Sequence, residues 1–600
     1  MSFEFLEFDI FMMDLLKKNW KCLILFFILI LAVFVRAYRF DDQLLFELDQ
    51  GRDAKLISEA VDKGPSYLPL LGPRAAGTYL RLGPVFYYFQ YLSAEITNSI
   101  EPSVFAYPDL LFSVLTIPLF YFFLRLYFGK LTSALTAAMY AFSFAVIQYS
   151  RFAWNPNSLP FWILVCFYGL VRVAGEVDKR KRYIWIAMMS AGLAVASQLH
   201  FLAFVSLPAI IVLYLLWTKS LRKFGWKETA IVLLILVLFY LPVILSDLKT
   251  SGDNVKQFVW AFKNKPQDQQ YSFGQKLMEN AVAHSEYYFN ILTSYKSRLG
   301  KFSLIGGLIL VLGGLFRVLL DYRPKISNDK KRFLKLIIIW FAVSFLALTP
   351  FAFKLKTRFF MLAFPLPFVF AALWMEWLVN FSYLGFLEGR KCLRTLMVVL
   401  FSTAVIALNT EATAAWYRGL AANQEAKPIL GRALIIKQDN GITLNHLRSL
   451  SDFIYGEFQK RPAKIYLYGN LHYRIPVEYL LNLKRDDSLE HARIKRKVAD
   501  PEAYYFNLTT VRGAYKAVPD RYADKFDLME SYTFGRLMLH RLKLKKEQPP
   551  VVEEKIKEEK NDRAEDSVND EDEREEEKLG REERVRWRDL FKQMSDVELL

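Results

Sequence analysis

The sequence predicts an all-α polytopic membrane protein of about eleven transmembrane helices, followed by a small C-terminal α/β exterior domain and a disordered, charged tail. Three observations carry that prediction. Hydrophobic residues make up 53% of the 600 residues and aromatic ones 16%, too apolar for an ordinary soluble chain. The apolar residues fall in runs of roughly 15–23, near the length that spans about 30 Å of hydrocarbon as a helix. Beyond residue 410 those runs stop and mixed polar and apolar segments replace them.

The expected spans are Trp20–Tyr38, Phe105–Tyr127, Leu131–Tyr149, Leu159–Ala174, Tyr183–Leu199 and Phe201–Trp217, then Thr229–Ser246, Phe302–Leu320, Phe333–Leu348, Phe359–Leu378 and Thr395–Asn409. No small-residue cleavage site follows the first, so it reads as a retained anchor rather than a signal peptide. Cys22, Cys166 and Cys392 fall in or beside spans. They form neither a disulfide framework nor a zinc spacing.

Lys and Arg in short loops mark the cytoplasmic side. Lys17, Lys18 and Lys21 flank the first span, and basic loops at Lys179–Arg182, Lys219–Lys227, Arg323–Arg332 and Arg390-Lys391 follow every second crossing. All agree if residues 1–18 are cytoplasmic and Gly83–Ile96 does not cross. That segment, about 14 residues opening on Gly83-Pro84, is too short to span and fits an interfacial helix. The transmembrane domain is then 19–410. One outer face carries the first outer loop (39–82), Ser150–Ser158, the long outer loop (247–301), the link Thr349–Arg358 and everything after Asn409.

Residues 411–545 alternate strand-like runs such as Ala463–Tyr468 with helix-like ones such as Leu444–Phe458, enough for a small α/β core. Residues 546–600 hold 12 basic and 20 acidic side chains, a composition typical of disorder or an extended helix. Val585–Leu600 is amphipathic enough to dock, with no partner indicated. The chain's formal charge is +17, and the basic excess sits at membrane borders, which suits anionic lipid. No zinc finger, helix-turn-helix or aromatic RNA-binding signature accompanies it, so nucleic acid is not an expected partner.

Chemistry concentrates on the outer face. Phe46-Glu47-Leu48-Asp49-Gln50-Gly51-Arg52-Asp53-Ala54 places carboxylates and an arginine just beyond the first span, where charge is costly and usually functional. Asp49, close to the outer interface, suits a general base, with Arg52 and Asp53 orienting it or pairing together. The alternative is an Arg–Asp anchor or a helix N-cap. Lys354, Lys356 and Arg358 put three cations in a short outer link, against the positive-inside bias. They suit a lipid-linked phosphate, or else they snorkel to ordinary headgroups. Arg81, Arg151 and Asn155 are further cleft candidates, although Asn155-Pro156-Asn157-Ser158 also reads as a turn and helix cap. No histidine pair has metal-ligand spacing, and no P-loop, dinucleotide fingerprint or nucleophile elbow is present.

These motifs resemble a family, the multispanning C-type-fold (GT-C) glycosyltransferases that use polyprenyl-phosphate sugars, which include protein O-mannosyltransferases and the lipid A aminoarabinose transferase. Asp49, Arg52 and Ala54 match its Asp-Glu-x-Arg-x-Ala-like motif, with Gln50 in place of Glu. Gly83-Pro84-Val85-Phe86-Tyr87-Tyr88 is similar to its Pro-Pro-Leu-Tyr-Tyr motif, with glycine for the first proline. Lys354-Leu355-Lys356-Thr357-Arg358-Phe359-Phe360 and Pro365 resemble its Lys-rich link before a late proline-bearing span. The resemblance covers about residues 19–410.

It implies transfer of one sugar from a polyprenyl phosphate to a hydroxyl or phosphate of a glycan, lipid or protein acceptor. Asp49 would be the base, and Lys354, Lys356 and Arg358 would bind the donor phosphate. It names no metal ligand, and whether a divalent cation assists is left open. The expected setting is a multi-pass protein of a prokaryotic plasma membrane with an exterior active face. A lipid-linked sugar flippase or secondary transporter is the alternative, and should show internal repeats and broken helices with midplane charge. A scaffold would leave the outer charge clusters without a purpose.

Overall fold

The computed structural model describes residues 26–75, 78–264, 270–294, 300–321, 326–380, 390–422, 441–494, 500–511, 516–545 and 585–590. The expected cytoplasmic segment 1–18 and most of the 546–600 tail lie outside these residues.

The chain is mostly helical. Helix α1 (Phe26–Ala37) leads to α2 (Leu48–Lys63) and α3 (Val85–Thr97), and α4 (Tyr107–Leu124) follows a short 3-10 turn. Then come α5 (Lys130–Ala141), α6 (Phe144–Tyr149), α7 (Leu159–Gly175), α8 (Lys179–Leu199), α9 (Phe201–Trp217) and α10 (Trp226–Lys249). After them are α11 (Asp253–Asn264), α12 (Phe273–Thr293), α13 (Gly300–Asp321), α14 (Asn328–Leu348), α15 (Leu366–Asn380) and α16 (Lys391–Ala421).

Among the described residues, five helical segments are long and apolar enough to cross a membrane: Val104–Leu124, Trp226–Lys249, Phe302–Leu320, Asn328–Lys354 and Lys391–Ala421. A sixth is the pair Thr357–Ala363 and Leu366–Asn380, bent by 56° at Pro365, where proline removes a backbone donor. Phe26–Ala37, Leu159–Gly175 and Phe201–Trp217 are apolar but shorter. Among the described residues, the expected eleven spans therefore resolve into fewer long apolar helices. Leu131–Tyr149, expected as one span, is split into α5 and α6 at Phe142-Ser143. The freed groups at that break have partners: Phe144 N–H donates to Asn409 Oδ1 (2.9 Å), and Ser143 Oγ donates to the Ile291 carbonyl (2.7 Å). The segment from Gly83 is helical as expected, with Pro84 preceding α3.

The long loop 247–301 is less open than expected, because it contains α12. Its Ala283, Tyr287, Tyr288 and Ile291 are buried in the main core. A Cβ at Gly307 of α13 would fall 1.9 Å from the Ser285 carbonyl oxygen, so glycine is what lets α12 and α13 touch backbones. A serine- and asparagine-bearing sequence hid this helix from a hydropathy reading.

Polar ties sort the bundle into two ends. At one, Arg182 pairs with Glu228 (3.2 Å) and Lys223 donates to the Ala174 carbonyl (2.8 Å), which gathers the basic loops. At the other, Leu444 N–H donates to the Leu44 carbonyl (2.9 Å) and Tyr479 OH to the Ile100 carbonyl (2.6 Å). There the C-terminal segment sits on the helices. It has α17 (Leu444–Lys460), α18 (Leu471–Asn482) and strands β1 (Ile465–Gly469), β2 (His491–Arg493), β3 (Tyr504–Thr510), β4 (Phe526–Phe534) and β5 (Leu537–Leu544). The sheet order is β2-β1-β3-β5-β4, with β1 parallel to both neighbours and the β3-β5-β4 half antiparallel. β3, at the centre of the sheet, is buried throughout, including Asn507, whereas the edge strand β4 is exposed over Asp527–Ser531, Leu528 and Met529 among them. One apolar core runs from the bundle through Leu444, Leu467 and Phe506.

Candidate active site

Helix α2 begins where the chain leaves α1. Glu47 N–H donates to Gln50 Oε1 (3.1 Å), half of a capping box, and Gln50 Nε2 donates to the Ala153 carbonyl (3.0 Å). Gln50, which stands where the resembling motif has a second carboxylate, is thus buried and acts as a cap and a tether. Gly51 lies where a Cβ would meet Pro476 N at 3.1 Å, so α2 rests closely on α18. Helical spacing then puts Asp49, Arg52 and Asp53 on one face.

Arg52 is shared by both carboxylates, at 3.0 Å from Asp49 Oδ1 and 2.9 Å from Asp53 Oδ1. Asp53 also accepts from Tyr87 OH of α3 (2.9 Å). The side chain of Asp53 is 6% exposed and that of Asp49 46%. The buried carboxylate is therefore the anchor, and the half-exposed one faces open space. Burial opposes the Arg52 charge, but Asp53 first, then Asp49 and Tyr87, outweigh it and raise its pKa above the usual guanidinium value.

That open space is a cavity of about 380 Å³, lined by Asp49, Arg52, Asp53, Pro73, Arg74, Ala75, Leu82, Trp154, Asn155, Pro156, His200, Phe201, Leu202, Phe351, Arg358 and Phe359. Its size is that of a small-ligand site. Four loops build it around the face of α2. The 150–158 loop is fixed by Asp109, which accepts from Trp154 N–H (2.9 Å), and by Asn155 Nδ2 donating to the Leu199 carbonyl (2.6 Å). The Gly72–Leu82 hairpin closes through Gly72 N–H to the Leu82 carbonyl (2.8 Å) and Ala75 N–H to the Leu80 carbonyl (2.8 Å), and brings Arg74 in. Arg358 is the second residue of the 3-10 segment Thr357–Ala363, beside the stacked Phe351 and Phe359 (centroids 6.4 Å apart). His200 caps α9, its Nδ1 accepting from Leu202 N–H (3.2 Å).

The structure thus brings Asp49, Arg52, Asp53, Asn155 and Arg358 to one cavity. Lys354 and Lys356 are exposed on the same link, outside the lining. Arg81 also lies outside it, its backbone paired with Asn254 (2.9 and 3.1 Å). Arg151, expected in the cleft, is buried instead. It donates to the Arg36 and Arg39 carbonyls and lies over Tyr417 at 4.9 Å, closing the end of α1. A loop arginine satisfies carbonyls of a terminating helix as readily as it faces a cleft, and sequence does not separate the two. Arg74, His200, Phe351 and Phe359 were missed as site residues. Arg74 carried one usable signal, its place in the same outer loop as Asp49. Among the described residues no group of three or more His, Cys, Asp or Glu side chains is placed to hold a metal ion.

Residues 81–245 match the dolichyl-phosphate-mannose-protein mannosyltransferase family. Among solved structures, ArnT from Cupriavidus metallidurans bound to undecaprenyl phosphate aligns with a TM-score of 0.51 at 14% identity, over 87% of this chain and 98% of that one. The chain has the C-type glycosyltransferase fold. The apo form of the same ArnT, in the same fold, aligns at TM-score 0.50 and 14% identity over 88% and 98% of the two chains. The archaeal oligosaccharyltransferase AglB from Archaeoglobus fulgidus, in complex with an inhibitory peptide and a dolichol-phosphate, aligns at TM-score 0.45 and 14% identity, over 78% of this chain. The chain spans 64% of the length of AglB. No curated protein sequence matches. The expected C-type fold is thereby met, and of the three resembling motifs Gly83–Tyr88 lies within the matched residues 81–245, while Asp49–Ala54 and Lys354–Phe360 lie outside them.

Proposed function

We propose that this protein is a membrane glycosyltransferase that moves a sugar from a polyprenyl-phosphate carrier to an acceptor hydroxyl or phosphate, at the non-cytoplasmic face. The observation that carries the reading is the pairing, in one cavity, of a half-exposed carboxylate with cations beyond its own partner: Asp49 with Arg74 and Arg358. Asp49 takes the proton of the acceptor O–H. The acceptor oxygen attacks the anomeric carbon, the bond from that carbon to the phosphate oxygen breaks, and polyprenyl phosphate leaves with the electron pair. One carboxylate and direct displacement invert the anomeric centre. Arg358 and Arg74 stabilise the charge that grows on the departing phosphate, while Lys354 and Lys356, exposed on the link, guide the anionic headgroup inward. Asp53 is the weaker candidate for base because it is buried and already holds Arg52 and Tyr87. The C-terminal α/β segment, whose α18 packs on α2, shapes the acceptor side.

The family match to mannosyltransferases and the undecaprenyl phosphate of the similar ArnT structure support a lipid-phosphate donor. The alternative of a flippase draws little from the α5–α6 break, because Asn409 and Ile291 occupy its freed backbone and side-chain groups. The test offers purified protein a panel of radiolabelled polyprenyl-phosphate sugars with membrane extract. Wild type transfers label and Asp49→Asn loses at least about a hundredfold. Equal transfer by both removes Asp49 from the mechanism.

A further inference from the structure

Residues 585–590, the described part of the charged tail, return to the site end of the bundle and add an edge to the first loop. Leu70 N–H donates to the Val585 carbonyl (2.9 Å) and Trp587 N–H to the Leu68 carbonyl (3.2 Å), an antiparallel bridge across Pro69 and Arg586. Side chains extend the grip. Arg586 pairs with Glu59 of α2 (2.8 Å), Trp587 Nε1 donates to Tyr88 OH of α3 (3.0 Å), and the Arg588 guanidinium lies 4.2 Å from the Tyr67 ring centroid. Lys249 at the end of α10 donates to the Asp589 carbonyl. Five residues, Val585 to Asp589, thus clamp α2, α3, the end of α10 and the stretch Tyr67–Leu70 that runs, two residues on, into the hairpin bearing Arg74.

We propose that Val585–Leu590 is a positioning strap, a peptide segment that docks by edge pairing and an aromatic–basic anchor and so holds the Gly72–Leu82 hairpin and Arg74 at the cavity. Main-chain pairing supplies attachment, and Trp587 with Arg586 supplies register. The strap's effect on donor binding rests on the proposed transferase reading; the docking itself does not.

The experiment compares full-length protein, a chain ending at residue 584, and Arg586→Glu with and without Glu59→Arg, all in lipid nanodiscs. Hydrogen exchange of peptides covering 66–82 is read beside transfer kinetics. Loss of the strap is expected to speed exchange across 66–82 by at least tenfold and to raise the donor KM severalfold with kcat within about twofold. A synthetic peptide of residues 581–594 restores both in the shortened chain, and Glu59→Arg restores both in Arg586→Glu. Unchanged exchange in the shortened and Arg586→Glu proteins overturns the strap. Faster exchange with an unchanged donor KM overturns its role in positioning Arg74. Faster exchange with no transfer by full-length protein upholds the docking and defeats the transferase reading instead.

Discussion

At the residue scale, the proposed division of labour between Asp49 and Asp53 rests on burial and pairing. Both share Arg52, yet Asp53 is fastened to Tyr87 and Asp49 faces the cavity. The cations differ in the same way. Arg358 lines the cavity and Lys356 is exposed beside it, so Arg358→Ala should raise the donor KM about tenfold, the worth of one lost charged hydrogen bond. Lys356→Ala should raise it less. Equal effects would place the phosphate on the link rather than in the cavity. Asp109 gives a second test. It is buried and accepts from Trp154 N–H, so Asp109→Ala leaves that donor unpaired at a cost of about 1–3 kcal/mol. Asp109→Asn keeps an accepting oxygen and should be milder; thermal melts showing no loss for Asp109→Ala would contradict this. Asp49 was legible from its charge beside a span. Arg74 offered only its place in the same outer loop, because a lone loop arginine looks the same whether it faces solvent or a cavity, and Arg151 misled for the converse reason.

At the element scale, runs of apolar residues revealed most helices, but their breaks were hidden. The α5–α6 break depends on Asn409 and Ile291, more than a hundred residues away, and α12 is buried by contacts rather than by an apolar sequence. The link between α2 and the tail segment was equally invisible, since Arg586 and Glu59 lie 527 residues apart. It yields a pH prediction. The hydrogen bond from Arg586, then that from Lys63, lowers Glu59 from 4.5 to about 2 despite some opposing burial. A carboxylate depressed on folding contributes stability that is complete above its unfolded value and lost as pH falls through its folded one. Protection of the Leu70 amide should hold from pH 8 to 5 and decline from about 4.5 toward 2. A decline between pH 8 and 6 would assign the strap to another group.

At the scale of the whole molecule, positive loops and site motifs gather at opposite ends, as the order of spans and charges in the sequence required. Lys181 belongs to the basic end and Asp487 to the site end, and both are exposed. In a chain without native cysteines, a membrane-impermeant maleimide should label Asp487→Cys in intact cells and Lys181→Cys after permeabilisation alone. The reverse would invert the orientation and strand the site in the cytosol. The small sheet between Ile465 and Leu544 and helix α17 agree with the strand-like and helix-like runs of the sequence, although α16 runs on to Ala421, past the expected boundary at 411. The docking of α18 on α2 through Gly51 and Pro476 was not readable, because a close approach leaves no mark beyond one glycine.

The central claim is that Asp49 acts in the bond-forming step beside a phosphate held by cations. Single-turnover transfer with pre-bound donor tests it most directly, with donor affinity measured separately. Asn in place of Asp49 should leave donor affinity within about twofold and slow the chemical step at least about a hundredfold. A wild-type rate in that variant, or donor affinity falling in step with it, would contradict the claim.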